Sequence, residues 1–240
     1  YFAKAGIDAT YEDIVLTPQQ FDEKVDDYIA SYDGLNVTVP FKGQILRHVT
    51  PVEDALKCHA VNCIFQRKGY NTDWLGFYNS LTSINVEGPI LLLGAGGVSR
   101  AILYALCKMG HKEILLCNRT MEKALQVKED FSEECEIIVE SFEDLKDVLK
   151  DVKTFINATS IGMFGELFDL NVDDLSHLSL VYDVVYNYTP LQEMANEVGI
   201  TCVDGKALWY HQAVENLKIW DVYEEKIFTE CFEQIVGAES

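Results

Sequence analysis

The chain has 240 residues, 48% of them hydrophobic, which suffices for one large domain or two modest ones with a real core. Its 39 acidic against 19 basic residues leave a formal net charge of −20, which argues against a nucleic-acid backbone as the ligand and requires any phosphate to be met by a local basic pocket. No apolar run reaches the roughly 18 residues of a membrane span and no signal peptide opens the chain, so a cytoplasmic protein is expected.

The seven cysteines (Cys58, Cys63, Cys107, Cys117, Cys135, Cys202 and Cys231) show no C-x-x-C spacing, and they read as reduced core thiols with no metal site and no disulfide framework. Residues 1–6 read as the tail of a helix ending at glycine, so residues upstream of Tyr1 are expected. Partial alternation over 10–16 predicts a strand. Thr17-Pro18 then starts a helix whose Phe21, Val25, Tyr28 and Ile29 share one apolar face through Ala30. Asp33-Gly34 turns the chain into a second strand over 35–39, stopped by Pro40.

Helical spacing resumes over 41–48, which places Lys42 in the first turn of a helix just past the strand. A helix N-terminus repels a cation, so a lysine there calls for a carboxylate partner; otherwise it is a solvated surface group. Residues 60–65 and 68–71 read as the arms of a hairpin around Gln66-Arg67, and Thr72-Asp73 as the cap of a helix over 74–81.

Between 90 and 203 the strands (90–93, 114–117, 137–139, 154–157, 180–184 and 201–203) are interleaved with helices (98–109, 121–131, 142–149 and 191–198). Alternation of this kind implies parallel crossovers, and continuous apolar strands imply a sheet covered on both faces, so this segment is a doubly wound nucleotide-binding domain. Residues 206–235 read as helical, with Ala213, Leu217 and Trp220 on one face and Tyr223, Ile227 and Cys231 continuing it.

The apolar run Ile90-Leu91-Leu92-Leu93 stops at Gly94-Ala95-Gly96-Gly97 and an amphipathic helix follows, the strand, tight turn and helix of a phosphate cradle. The last fingerprint position is Ser99 rather than glycine, and Ala101 supplies the close helix packing. In an NAD site the next strand ends in a carboxylate that holds the ribose hydroxyls; here it ends in Cys117-Asn118-Arg119-Thr120, with Lys123 beyond. A guanidinium grips a 2′-phosphate by paired hydrogen bonds, which selects NADP over NAD.

Several separated motifs coincide in order: Asn36-Val37-Thr38-Val39-Pro40-Phe41-Lys42, Ala60-Val61-Asn62, Tyr70-Asn71-Thr72-Asp73, the glycine turn with Asn118-Arg119-Thr120, Asn157-Ala158-Thr159-Ser160, Tyr182-Asp183-Val184-Val185-Tyr186, and Gln212-Ala213. Together they resemble the shikimate dehydrogenase family over essentially the whole chain. The resemblance implies an α/β fold of two domains, an N-terminal substrate domain (1–75, with C-terminal helices returning over 208–240) and a Rossmann-like NADP-binding domain (76–207). It implies NADPH-dependent, reversible reduction of 3-dehydroshikimate to shikimate in aromatic amino acid biosynthesis, by a monomer or homodimer.

Carried over by position, the resemblance makes Lys42 and Asp73 the catalytic pair and assigns Thr38, Asn62 and Gln212 to the substrate, with Tyr186 nearby. It gives the pyrophosphate to Gly94, Ala95, Gly96 and Gly97 and the adenosine phosphate to Asn118, Arg119, Thr120 and Lys123, and it adds Thr159, Val184 and Gly205 to the cofactor site. The chemistry agrees, because a ketone oxygen that becomes an alkoxide needs a cationic donor able to surrender a proton. The family's opening strand and Ser-x-Ser loop are missing from this sequence, Lys123 stands where many relatives carry arginine, and Leu208 replaces a usual methionine. Other readings are a broader quinate/shikimate dehydrogenase, against which Arg119 speaks, a cofactor-sensing regulator, which would lack the catalytic pair, and methylenetetrahydrofolate dehydrogenase, which lacks these motifs.

Overall fold

The structure, a computed structural model, describes residues 1–238. The chain opens with a helical turn, α1 (Phe2–Ala5), closed by Gly6 at φ 68°. No ladder forms over 10–16, where a strand is expected from the alternation. Instead Tyr11 donates to Asn36 Oδ1 at 3.0 Å and lies 6.4 Å from the Trp220 ring, so side-chain contacts hold this stretch. Helix α2 (Pro18–Ser31) starts where Thr17-Pro18 predicts. Thr17 Oγ1 accepts from the Gln20 N–H and the Gln20 side chain accepts from the Thr17 N–H, a reciprocal cap that satisfies two orphan donors.

The first sheet comprises β1 (Gly34–Asn36), β2 (Thr50–Pro51), β3 (Cys63–Phe65) and β4 (Lys68–Tyr70), with a short helix α3 (Glu53–Lys57) after β2. Its spatial order is β1-β3-β4-β2; β3 runs antiparallel to both β1 and β4, and β2 runs parallel to β4. The expected hairpin is present, its turn made by Gln66 and Arg67, both at positive φ, the twist that joins antiparallel arms by two residues.

Strand β1 is shorter than the 35–39 reading. After Val37, which still donates to Asn62 O, the chain turns as Phe41 N–H closes on Thr38 O. The helix expected over 41–48 shrinks to a 3-10 turn, Gln44–His48, because the Lys42 carbonyl is taken by Val61 N–H at 2.8 Å. Lys42 therefore sits ahead of this turn rather than inside a helix.

Helix α4 (Asp73–Ser80) leads into the second sheet, whose elements are β5 (Ile90–Leu93), α5 (Gly97–Lys108), β6 (Glu113–Asn118), α6 (Met121–Asp130), β7 (Glu136–Ser141), α7 (Leu145–Leu149), β8 (Thr154–Asn157), α8 (Val172–Leu175), β9 (Leu180–Asp183), α9 (Pro190–Glu197) and β10 (Thr201–Val203). All six strands are parallel, in the order β10-β9-β8-β5-β6-β7. Succession runs one way from β5 through β6 and the other way through β8, so the crevice between their carboxyl ends is the switch point where such sheets take ligands. Ile90 and Leu92 enter one apolar core and Leu91 and Leu93 the other, the mark of a strand covered on both faces.

The helix read over 142–149 is a 3-10 turn, Phe142–Asp144, continued by α7. The tail read as continuous over 206–235 is two helices, α10 (Gly205–Ile219) and α11 (Glu225–Ala238), because Asp221 adopts φ 58° and Val222 N–H returns to Leu217 O. Helix α10 lies against α4 where Gly76 leaves no side chain, and the Trp220 indole at its end donates to Ile64 O in the first sheet at 3.2 Å. All seven cysteines are free thiols; burial pushes Cys63 and Cys117 up to about 12, far from nucleophilic thiolate. Among the described residues no helix is long and apolar enough to cross a membrane.

Candidate active site

The turn at Thr38–Phe41 delivers Lys42 inward, where only 9% of the residue is exposed. Its Nζ donates to Asp73 Oδ2 at 2.7 Å, and Asp73 is 4% exposed. Asp73 is the first residue of α4, where the helix dipole favours a negative charge. The capping role expected of Thr72-Asp73 belongs instead to Asn71, whose Oδ1 accepts from the backbone N–H groups of Asp73 (3.1 Å) and Trp74 (3.4 Å). The Asp73 carboxylate is thereby released toward the lysine.

The other carboxylate oxygen, Oδ1, accepts from Asn62 Nδ2 at 2.8 Å, and the second Asn62 amide hydrogen goes to Thr72 Oγ1 at 2.9 Å. Asn62 Oδ1 accepts from Thr72 N–H at 2.7 Å. Asn62 is thus fully bonded within the protein, and it acts on Asp73 as it stands. Two buried charges so close persist only when their remaining lone pairs and protons are also satisfied, and here the Asp73 oxygens are.

Gln212, on α10, reaches this network through Asn216: Asn216 Nδ2 donates to Gln212 Oε1 at 3.0 Å, and Thr72 Oγ1 donates to Asn216 Oδ1 at 2.7 Å. Thr38 lies exposed on the turn ahead of Lys42. Tyr186 is 43% exposed and rests 6.0 Å from the ring of Trp209, one turn before Gln212. The structure therefore gathers Lys42, Asp73, Asn62 and Gln212 into one bonded cluster, with Thr38 and Tyr186 outside it.

On the sheet side, β5 ends at Gly94, whose φ of 116° favours glycine and whose added Cβ would fall 2.9 Å from Ser99 Oγ and 3.0 Å from Ala158 O. Ser99, fully buried, accepts from Gly96 N–H at 3.3 Å, so serine at the last fingerprint position locks the turn. A Cβ at Gly96 would meet nothing within 4 Å, and this open space at the N-terminus of the 12-residue helix α5 fits a pyrophosphate. A Cβ on Gly97 would lie 3.1 Å from Lys42 Cδ, which puts the cradle directly against the lysine.

A cleft of about 220 Å³ extends from Gly94, Ala95 and Gly96 to Asn118, Arg119 and Thr159. Asn118 Nδ2 donates to Thr120 O at 2.8 Å, shaping the loop that presents the exposed Arg119, and Lys123 lies exposed in the first turn of α6. These groups are the local basic pocket that an acidic chain needs to meet a phosphate.

Thr159 is fixed by Asn157, whose Oδ1 accepts from its N–H (3.1 Å) and hydroxyl (2.7 Å). Asn157 Nδ2 in turn donates to Asp183 Oδ1 at 2.9 Å. Burial raises the Asp183 carboxyl above the usual range, against hydrogen bonds from Thr189, Val185 N–H, Asn157 and Gln192. Gly205 N–H donates to Val185 O at 3.1 Å, and a Cβ there would fall 2.0 Å from Val184 O, so glycine alone lets α10 begin under β9. Nothing in the sequence marks Asn71, Thr72 and Asn216 as site residues: the first two lie inside the Tyr70-Asn71-Thr72-Asp73 motif, and Asn216 meets Thr72 only through the fold.

A doubly wound parallel sheet with a phosphate-cradling turn, seated against a buried lysine–carboxylate pair carried by the turn after β1 and the start of α4, defines a dinucleotide-dependent oxidoreductase. Residues 1–64 match the model of the shikimate dehydrogenase substrate binding domain, and residues 81–164 that of shikimate / quinate 5-dehydrogenase. Shikimate dehydrogenase (NADP(+)) of Thermotoga maritima is 42% identical over 237 residues, 98% of this chain and 91% of the relative; that of Aquifex aeolicus is 38% identical, covering 90% and 82%. The crystal structure of the T. maritima enzyme superposes with a TM-score of 0.91 at 41% identity, over 98% of this chain and 91% of that one. The Listeria monocytogenes shikimate 5-dehydrogenase, solved in complex with shikimate and NAD, superposes at 0.83 with 27% identity, over 98% and 88%. The chain belongs to the shikimate dehydrogenase family.

Proposed function

We propose that this chain catalyses the NADP-dependent, reversible reduction of 3-dehydroshikimate to shikimate, the step that serves aromatic amino acid biosynthesis. The observation that carries the reading is the Lys42–Asp73 pair, with Nζ 2.7 Å from Oδ2, lying against Gly97 of the cofactor turn. When bound, NADPH supplies the hydride. Gly94, Ala95, Gly96 and Gly97 hold its pyrophosphate, Asn118, Arg119, Thr120 and Lys123 its adenosine phosphate, and Thr159, Val184 and Gly205 border its other end.

Lys42 donates a proton from Nζ to the ketone oxygen as that oxygen gains negative charge, and takes it back in the oxidative direction. Asp73 holds the ammonium in place, Asn62 holds Asp73, and Gln212 and Thr38 bind substrate oxygens, with Tyr186 beside α10. Residues 1–75 and 208–240 form the substrate domain and residues 76–207 the NADP domain, a division supported by the two separate sheets and by the return of α10 onto α4. The enzyme works as a monomer or homodimer in the cytoplasm, a location that suits seven unpaired thiols.

The test is NADPH oxidation with 3-dehydroshikimate, then oxidation of shikimate and of quinate with NADP and NAD. Turnover of the shikimate pair with NADP preferred is expected, and Lys42→Ala lowers kcat by at least about a thousandfold while NADPH affinity is kept. Unchanged turnover in that variant removes Lys42 from the mechanism. Equal use of quinate and NAD assigns a broader dehydrogenase, and cofactor binding with no turnover assigns a regulator.

A further inference from the structure

We infer that Asn216 is a positioning residue that fixes which end of the Gln212 amide faces the substrate and joins that amide to the Lys42–Asp73 pair. The inference rests on the proposed reading of Lys42, Asp73 and Gln212 as the reaction site. Asn216 lies on α10, is 4% exposed, and is bonded at both ends of its amide. Its Nδ2 donates to Gln212 Oε1 at 3.0 Å and its Oδ1 accepts from Thr72 Oγ1 at 2.7 Å.

The Thr72 hydroxyl has one hydrogen, and it goes to the nearer oxygen, that of Asn216 at 2.7 Å rather than that of Asn62 at 3.3 Å. Thr72 Oγ1 then accepts from Asn62 Nδ2, whose other hydrogen goes to Asp73 Oδ1, and Asp73 Oδ2 accepts from Lys42. The series Gln212, Asn216, Thr72, Asn62, Asp73, Lys42 is continuous, and the donors run in one consistent sense from Thr72 to Asn216 to Gln212. Such a buried network specifies the orientation of every amide within it.

The consequence falls on Gln212. Its Oε1 is occupied by Asn216, and one Nε2 hydrogen goes to Trp209 O at 3.2 Å. Oε1 keeps a second lone pair, but its bond to Asn216 holds that end of the amide toward α10, so the second Nε2 hydrogen is the group left for a ligand and Gln212 offers a donor. A donor selects an acceptor oxygen, which a hydroxylated carboxylic acid supplies. Neither Gln212 nor Thr72 alone settles this orientation; the amide of Asn216 does, because it must give its N–H to one and its oxygen to the other.

Asn216→Asp tests the inference. A carboxylate at 216 still accepts from Thr72, but it cannot donate to Gln212 Oε1 and instead attracts Nε2, turning the Gln212 oxygen outward. The KM for shikimate is expected to rise about tenfold, with the KM for NADP held within about twofold. In a Gln212→Leu background, where KM is already raised, the same substitution should add nothing, since residues acting through one another are not additive. Asn216→Ala, which buries no new charge, serves the same cycle should the aspartate variant fail to fold, and its effect on shikimate KM should likewise require Gln212.

An equal, additive rise in both backgrounds, or a rise in the KM for NADP in step with that for shikimate, overturns the inference and leaves Asn216 a packing residue. An unchanged KM in Gln212→Leu alone sinks the substrate role of Gln212, and the inference with it. Additivity with a raised KM in that variant sinks the inference only.

Discussion

The first residue of α5 rests on the stem of Lys42: a methyl group on Gly97 would sit 3.1 Å from Lys42 Cδ and 3.2 Å from Lys42 Cβ. The two residues belong to the parts of the chain built on different sheets and lie 55 positions apart, so on the proposed reading the contact is the seam at which hydride carrier and proton donor meet. Gly97→Ala closes that seam. The lysine stem is buried and its Nζ is tethered to Asp73, so the neighbour yields at the cost of the Nζ position. A loss of roughly tenfold or more in kcat is expected, because small displacements of reacting groups are costly, while the α5 propensity gain from alanine is only about 1 kcal/mol. Steady-state kinetics beside thermal melting separates the two, and a faster or unchanged kcat shows that the seam is slack.

Removing the lysine charge leaves Asp73 buried at 4% exposure with Asn62 as its remaining side-chain donor. Lys42→Met should therefore destabilise the fold by about 3 to 5 kcal/mol, the cost of an uncompensated buried charge. Lys42→Met with Asp73→Asn removes both charges and should recover much of that loss while activity stays absent. Urea denaturation midpoints of the three proteins check this, and a double variant less stable than Lys42→Met shows that the carboxylate keeps its stability from Asn62 and the helix dipole instead.

What the sequence disclosed depended on how local the cause was. Thr17-Pro18 with Gln20 announces α2 because the whole cap lies within four residues. The glycine turn was legible for the same reason, and Arg119 followed from its register at the end of the next strand. The strand expected over 10–16 did not form: alternation names a face, and no partner strand pairs with it among the described residues. The helix that the spacing places around Lys42 is interrupted by Val61, a contact across the fold, and the carboxylate partner that a buried lysine calls for is Asp73. The Thr72-Asp73 pair reads as a helix cap, and Asn71 performs that role instead. Asn216 carried no signal at all, because its importance is a hydrogen bond to Thr72, 144 residues away.

Histidine 211 sits beside Gln212 on α10, edge-on to Tyr210 with ring centroids 5.2 Å apart. Burial lowers the pKa of His211 below its ordinary 6.5, with Glu215 opposing and Lys218 assisting. The unfolded chain then takes up its proton first, so stability is complete above about pH 6.5 and is lost as pH falls through the lower value in the fold. His111, lowered by burial as well, adds the same sign. Melting temperatures measured from pH 7.5 to 5 should fall less steeply in His211→Gln than in the wild type, and parallel curves refute the assignment.

On the proposed reading Arg119 decides the choice of cofactor in a chain otherwise carrying a net charge of −20. It is exposed at the rim of the cleft formed with Gly94 and Thr159, so its guanidinium can grip a phosphate at a smaller desolvation cost than a buried group would incur. Charged hydrogen bonds of this kind contribute about 1.5 to 3 kcal/mol each, or roughly ten- to a hundredfold in affinity. Arg119→Ala should raise the KM for NADP by that factor and leave the KM for NAD nearly unchanged, since NAD lacks the 2′-phosphate. Arg119→Asp should go further, repelling the phosphate and supplying the carboxylate that ribose hydroxyls bind. The ratio of kcat/KM for NADP over NAD, measured with shikimate saturating, is the readout. Raising salt should narrow the wild-type ratio by screening an exposed contact, and it should do so much less in Arg119→Ala. A ratio unaffected by either substitution transfers the 2′-phosphate to Lys123 and Asn118.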